Sequence, residues 1–521
     1  MPQSELILSD LFRRAFQRFA NKEALASPEG RISYKCLSAK ALVLHDELKA
    51  GGVGSGDAVG LLLCNSIEFV VADLALIMLG ACKVPLNDML AADDIAYMVA
   101  HSGAKALIAH SSFAPKIEAI SESIAELPVK LAIQNDDRNL AGFKVINLDA
   151  DAAPGPIVWP DASAISSEHK ALIIYTGGTT GRPKGVLHTQ RNLYLNSISH
   201  QINLGIQEDD YLLVCSPLPH SAQLFVAATL LRGGKVWIEA GFEAQRVLNL
   251  IQEERITITF MVPTMIYRLL DHPSAAATDS SSIRTMVYGA SPITPTRLKQ
   301  AIERFGSVLL QIYGQTEVPN LITTLSKDDH LIDNYRTSCG QAVNFVDLVI
   351  RDDSGHPLPV GEVGEVSVRS NYSLLCYHDD PTRTSEAYIG DYVMTGDVGY
   401  LDDTGHLYLV DRAKDMIISG GFNVYSTEVE NVIQQYDRVQ QVAVIGIPDD
   451  DWGEAVTAFV IPKDDQFDAA IALQQCRDSL ARYKVPKAIR VVEQIPLTPY
   501  GKPDKKALRS QFWADGARQV N

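Results

Sequence analysis

The sequence predicts an α/β protein: a large N-terminal region of β-sheets flanked by helices, organised in subdomains over residues 1–413, and a small α+β domain over 414–521. Three observations carry that prediction. Short apolar runs bounded by turn residues alternate with segments of helical period up to about residue 330, which is the pattern of α/β layers. After residue 340 the chain changes to short β-rich pieces joined by tight turns. A charged cluster, Asp411-Arg412-Ala413-Lys414-Asp415, then separates those hairpins from a compact α+β pattern running to about Phe512.

The strands expected in the first region are Asp57 to Leu63, Ala106 to His110, Ala171 to Tyr175, Tyr211 to Ser216, Lys235 to Glu239, Ile256 to Val262 and Thr285 to Tyr288. Hairpin strands follow at Val346 to Arg351, Gly364 to Arg369 and Gly405 to Val410, the first of them ending on the turn Asp352-Asp353-Ser354-Gly355. A helix is expected to begin near Ser426, with Glu428 in its first turn. No internal repeat or low-complexity tract interrupts this order.

Length and charge bound the function. A chain of 521 residues exceeds what one core usually organises, and its composition is that of a globular protein. With 63 acidic against 46 basic residues the net charge is −17, which repels a phosphate backbone and argues against nucleic acid as a partner. An anionic ligand needs a local pocket of backbone N–H groups and a few cations instead. The seven cysteines are scattered and form no C-x-x-C pair, so neither a disulfide framework nor a zinc cluster is expected. The start, Met1-Pro-Gln-Ser-Glu-Leu, lacks an export pattern, and the most apolar stretch, Val59 to Ala81, is interrupted by Asn65, Glu68 and Asp73. A cytoplasmic protein without a membrane span is expected.

The strongest local signal is Tyr175-Thr-Gly-Gly-Thr-Thr-Gly-Arg-Pro-Lys-Gly185, directly after the apolar run Ala171-Leu-Ile-Ile. Four glycines and three threonines in eleven residues let the backbone turn tightly and aim N–H and hydroxyl donors at one anion, with Arg182 and Lys184 adding charge. The composition also suits an ordinary surface loop, and the Walker spacing is absent. In Tyr313-Gly-Gln-Thr-Glu317 a carboxylate beside phosphates requires a cation between them, whereas a strand-end turn with a solvated Glu317 needs none. Thr395-Gly-Asp397 and Gly289-Ala-Ser-Pro292 are equally compatible with plain turns.

Together these segments, in this order and at this approximate spacing, resemble the adenylate-forming superfamily of acyl-CoA synthetases, adenylation domains and luciferases, from about residue 8 to 512. The resemblance implies that Thr176, Gly177, Gly178, Thr179, Thr180, Gly181 and Lys184 hold the phosphates of ATP, Gly177 standing where the family often has serine. It implies that Gly289, Ala290 and Ser291 line the adenine and acyl pockets, and that Tyr313 and Gly314 flank the adenine. It further implies that Thr316 meets the phosphate and that Thr176 and Glu317 hold Mg²⁺. By the same resemblance Asp397 and Arg412 are expected to take the ribose.

The same resemblance places the catalytic lysine at Lys502, in Pro496-Leu-Thr-Pro-Tyr-Gly-Lys502, where an ammonium bridges the acid's carboxylate and the α-phosphate. Lys505 and Lys506, just beyond it, are expected to be solvated. Lys414 matches a hinge about which the small domain rotates, bringing Gly420, Gly421 and Phe422 to the site for a pantetheine arm. Ser426 stands where proline is frequent in the relatives. His220, in Pro217-Leu-Pro-His-Ser-Ala-Gln-Leu-Phe225, borders the acyl pocket, gating it or accepting a proton from an attacking amine. Asp451-Trp-Gly-Glu454 and Ala481-Arg-Tyr-Lys-Val-Pro-Lys487 point to CoA as acceptor, with Trp452, Tyr483, Lys484 and Lys487 meeting its nucleotide. The implied reaction is activation of a carboxylic acid to an acyl-AMP followed by transfer to CoA, the alternative being transfer to an amine by an amide synthetase of the same fold.

Overall fold

A computed structural model describes residues 5–133, 140–148, 156–176, 182–291, 293–412, 415–419, 422–449, 451–497 and 503–513, with the side chains of Arg412 and Asn423 outside the description. The chain forms two compact units: residues 1–347 with 369–393, and residues 348–368 with 394–521. The limit expected at 413/414 falls inside the second unit, at two residues outside the description.

The first unit carries two large sheets. One has nine strands, and its interior pairs, from Glu23–Ser27 beside Lys235–Ile238 through Tyr211–Val214, Ile258–Met261 and Thr285–Gly289 to Leu309–Gln315, are all parallel. Parallel strands covered on both faces read as continuous apolar runs, and Tyr211–Val214, Ile258–Met261 and Thr285–Gly289 are buried at every position. The other sheet has eight strands, in the order Cys376–Tyr377, Lys184–Thr189, Lys170–Thr176, Cys82–Pro85, Ala58–Leu62, Ala106–His110, Val129–Ile133 and Lys144–Ile146. Each strand expected in this region is present, Ala106–His110 with the same ends and the others shifted by one or two residues at a terminus.

The second unit holds the expected hairpins and the α+β tail. Asp352 and Asp402 make twin turns: each Oδ1 accepts N–H bonds from the residues two and four ahead, and Gly355 and Gly405 follow at φ 81° and 82°. In the tail, Val439–Asp449 and Gly453–Pro462 form a long antiparallel pair covered by the helices Ser426–Gln434 and Ala469–Ser479, around a core of Val429, Ile433, Val444, Val456 and Val460. The helix begins at Ser426 with Glu428 in its first turn, as its sequence indicates. Among the described residues, no helix is long and apolar enough to cross a membrane, and every described cysteine is a free thiol.

Candidate active site

In the first unit Lys184, on the eight-stranded sheet, meets Glu317, in a turn of the nine-stranded sheet. Lys184 opens the strand Lys184–Thr189, which pairs on one side with Lys170–Thr176 and on the other with Cys376–Tyr377. Glu317 sits in the turn between the antiparallel strands Leu309–Gln315 and Val318–Leu325. Its Oε1 lies 2.6 Å from Lys184 Nζ and accepts a 2.6 Å hydrogen bond from the Tyr377 hydroxyl, while Nζ donates to the same hydroxyl at 2.9 Å. The ammonium also sits 4.4 Å from the centre of the Tyr377 ring.

Burial alone would raise the Glu317 carboxyl, but the Lys184 charge and the bonds from Lys184 and Tyr377 outweigh it and hold the group below its ordinary value. A buried, ionised carboxylate is therefore present, and neither neighbour reaches Oε2. The turn is fixed from behind by His188, whose Nε2–H donates to the Thr316 carbonyl at 2.9 Å. Burial pushes the His188 imidazole down to about 4, so it stays neutral at physiological pH.

Magnesium asks for oxygen ligands and is usually held by one or two carboxylates together with phosphates and water. The residues fit that demand. Thr176 Oγ1 is buried and has no hydrogen-bond partner among the described residues, and Glu317 offers one oxygen. No described group of three or more His, Cys, Asp or Glu side chains forms a cage, so the ion would be shared with the nucleotide's phosphates.

The loop residues Gly177, Gly178, Thr179, Thr180 and Gly181 lie outside the described residues. Gly289 ends a buried strand where a Cβ would stand 2.6 Å from the Ile312 carbonyl, and Ala290 follows at φ 70°. A non-glycine residue there is held by its surroundings, a feature that clusters at ligand sites. A Cβ on Gly314 would stand 2.3 Å from the Asn320 backbone, so the two strands approach as only glycine permits. Tyr313 is half-buried, paired with Thr323 across that ladder.

His220 lies inside the single kinked turn Leu218–Ala222, with non-helical φ −119° and ψ −139°. Two asparagines that sequence reasoning did not assign shape this turn. Asn65 Oδ1 accepts from the Leu218 N–H at 2.8 Å, and its Nδ2 donates to the Ser216 and Glu239 carbonyls. Asn320, at φ 64°, donates to the Ser221 carbonyl at 3.2 Å and lies 3.3 Å from the buried His200 Nε2. Asn65 was visible in the sequence only as a polar break in an apolar run, and Tyr377 carried no signal there.

In the second unit, Asp397 and Arg412 are direct partners across antiparallel strands. Asp397 is buried, and Glu365, which accepts from the Gly396 N–H at 2.9 Å, is raised by burial and by the neighbouring Asp397 charge. Phe422 is 56% exposed and stacks on Tyr483 with ring centres 4.9 Å apart. Lys487 sits 3.8 Å over the Trp452 ring, and Lys484 pairs with Glu428 at 2.7 Å. Lys414, Gly420, Gly421 and Lys502 lie outside the described residues. One expectation is corrected. Lys505 is not solvated: its side chain is 13% exposed and its Nζ lies 2.7 Å from Glu430 Oε1, a carboxylate that sequence proximity does not reveal. Lys506 is exposed, as expected.

Fold and site together define an adenylate-forming enzyme. The chain belongs to the AMP-binding enzyme family, whose profile matches residues 12–378, with the family's C-terminal domain at residues 428–502. It is 37% identical to a medium/long-chain-fatty-acid–CoA ligase, FadD8, of Mycobacterium tuberculosis, over 97% of this chain and 90% of that protein. Among solved structures it is similar to the amide bond synthetase McbA of Marinactinospora thermotolerans, with TM-score 0.87 and 32% identity over 97% of this chain and 100% of that one. It is equally similar to ATP-bound MatB of Rhodopseudomonas palustris, with TM-score 0.87 and 30% identity over 97% and 99% of the two chains.

Proposed function

We propose that this protein activates a carboxylic acid with ATP to an acyl-AMP and pyrophosphate, and then transfers the acyl group to the thiol of CoA. The observation that carries the first half is the Lys184–Glu317–Tyr377 cluster: a buried anion and a cation on adjoining strand ends, beside the orphaned hydroxyl of Thr176.

In-line attack of a carboxylate on a phosphate brings two anions together, so the protein's work is to position them and neutralise charge. Lys184 releases Glu317 and turns to the β- and γ-phosphates as the nucleotide enters. Thr176 and Glu317 hold Mg²⁺, which when bound neutralises charge on the phosphates. Lys502 donates to the reacting oxygens, Asp397 with Arg412 takes the ribose, and Tyr313 and Gly314 flank the adenine. Gly289, Ala290 and Ser291 line the adenine and acyl pockets, and His220 borders the acid.

For transfer, the domain beginning at 414 turns about Lys414, Lys502 leaves, and the segment of Gly420, Gly421 and Phe422 replaces it. The exposed stack of Phe422 on Tyr483 supports a role in receiving a flat or flexible ligand from solvent. The likeness to a fatty-acid–CoA ligase favours CoA, and the likeness to an amide bond synthetase keeps an amine as the rival acceptor. Incubation with ATP, Mg²⁺ and a panel of fatty and aromatic acids, with CoA or amines supplied separately, distinguishes them. A thioester formed only with CoA supports the proposal; an amide as sole product overturns the acceptor.

A further inference from the structure

We propose that Lys505 is a positioning residue for adenylation, anchoring the segment that carries Lys502 to the first turn of the helix Ser426–Gln434. The inference rests on the reading above that Lys502 serves the first half-reaction.

A lysine ammonium normally stays in water, and burying one is tolerated only when it is paired and its donors are used. Lys505 meets both conditions. Its Nζ pairs with Glu430 at 2.7 Å and donates to Ser426 Oγ at 2.7 Å. Glu430 also accepts the Val444 N–H at 2.7 Å, which fixes the carboxylate against the edge strand Val439–Asp449. Ser426 Oγ, having accepted from Lys505, donates to Asp411 Oδ2 at 2.9 Å, and the Ser426 backbone N–H bonds to the same carboxylate. Thr427 Oγ1 adds a contact to Asp411 Oδ1 at 3.3 Å. A continuous relay thus runs from Asp411 through Ser426 and Lys505 to Glu430.

The described residues on either side of 498–502 are fixed as well. Leu497 and Pro503 form an antiparallel bridge, and the Asp504 N–H donates to the Pro496 carbonyl at 2.7 Å. Leu508 is buried against Ala443, Ile445, Phe459 and Ile495. Arg509 donates to Asp415 Oδ1 at 2.8 Å, with both side chains largely buried. The short helix Lys505–Arg509 is therefore tied to residues on both sides of 412–414. The strand pair has a core on its other face, on Val429, Val444 and Val456, that does not include Lys505. The ties hold the described chain from Pro503 to Arg509 in place, and a displacement of about 1 Å at a reacting group costs ~10²-fold in rate.

The test separates the half-reactions. Acid-dependent ATP–pyrophosphate exchange is measured with acetate, octanoate, palmitate, benzoate and ferulate, and CoA-ester formation is measured from the synthetic acyl-AMP of the best acid. The variant is Lys505→Met with Glu430→Gln, which leaves no unpaired carboxylate. Exchange is expected to fall roughly 10²-fold with the KM for ATP nearly unchanged, while transfer from acyl-AMP stays within about twofold of wild type. Lys505→Arg should recover most of the exchange. Normal exchange in a folded double variant, or equal loss of both half-reactions, overturns the proposal. Should the double variant melt at a much lower temperature, Ser426→Ala removes only the hydroxyl link and decides by the same split. Lys502→Ala, run in parallel, identifies failure of the underlying reading: normal exchange in that variant removes the role of Lys502 whatever Lys505 does.

Discussion

Lys184 and Glu317, 133 residues apart in sequence, form a 2.6 Å ion pair in which the glutamate is almost fully buried and the lysine is 23% exposed. In the proposed function this pair holds the cation assigned to the phosphates and the carboxylate assigned to Mg²⁺ in mutual neutralisation until nucleotide and ion arrive. Removing one partner leaves the other charge uncompensated, so Glu317→Gln is expected to cost roughly 3 kcal/mol in urea unfolding. The same change should slow acid-dependent pyrophosphate release by ~10²–10³-fold, as loss of a charge-stabilising group does elsewhere. Unchanged stability and rate in this variant would remove the pair from both roles.

Burial holds the His188 and His200 imidazoles down to about 4, below the model-peptide value of 6.5. The folded state therefore binds fewer protons than the unfolded chain between those values. Stability from each is fully present above about pH 6.5 and is lost as pH falls toward 4, up to ~3 kcal/mol per residue. Denaturant unfolding from pH 7.5 to 4.5 should show that decline, and His200→Gln should flatten it.

Gly314→Ala places a Cβ 2.3 Å from the Asn320 backbone, where no flexible side chain can give way. A loss of ~1–3 kcal/mol is expected from this overpacking, read as a lower melting temperature. The nucleotide should also bind more weakly, because Tyr313 and Thr316 lie on the same strand end and turn.

Lys414→Pro is expected to leave ATP–pyrophosphate exchange close to wild type and to slow formation of the CoA ester, because proline restricts the backbone rotation proposed there. Single-turnover measurement of the two steps checks it. Equal rates for both steps in variant and wild type would leave Lys414 without a hinge role.

Much of the fold was legible because its signals are local. The run Ala106 to His110 is apolar, short and bounded by turns, and it is a strand with those ends. The sequence admits a strand-end turn with a solvated Glu317; the turn is present, but the carboxylate is buried in it. What escaped was long-range. Tyr377 reaches Glu317 only because Cys376–Tyr377 pairs with Lys184–Thr189, and nothing in the residues around it announces that strand partner. Lys505 was misread by the usual rule for lysines, since the carboxylate that allows its burial lies 75 residues earlier in a different element. Asn65 and Asn320 hold the His220 turn through the Leu218 N–H and the Ser221 carbonyl, backbone contacts that leave no pattern in a sequence.

The most direct test of adenylation is acid-dependent ATP–pyrophosphate exchange by the purified protein with Mg²⁺ and the acid panel, beside the Lys502→Ala variant. Exchange with at least one acid, an acyl-AMP recoverable when pyrophosphate is removed, and retained ATP binding with little exchange in the variant are the predicted results. Exchange with no acid, or undiminished exchange without the Lys502 ammonium, would contradict the account.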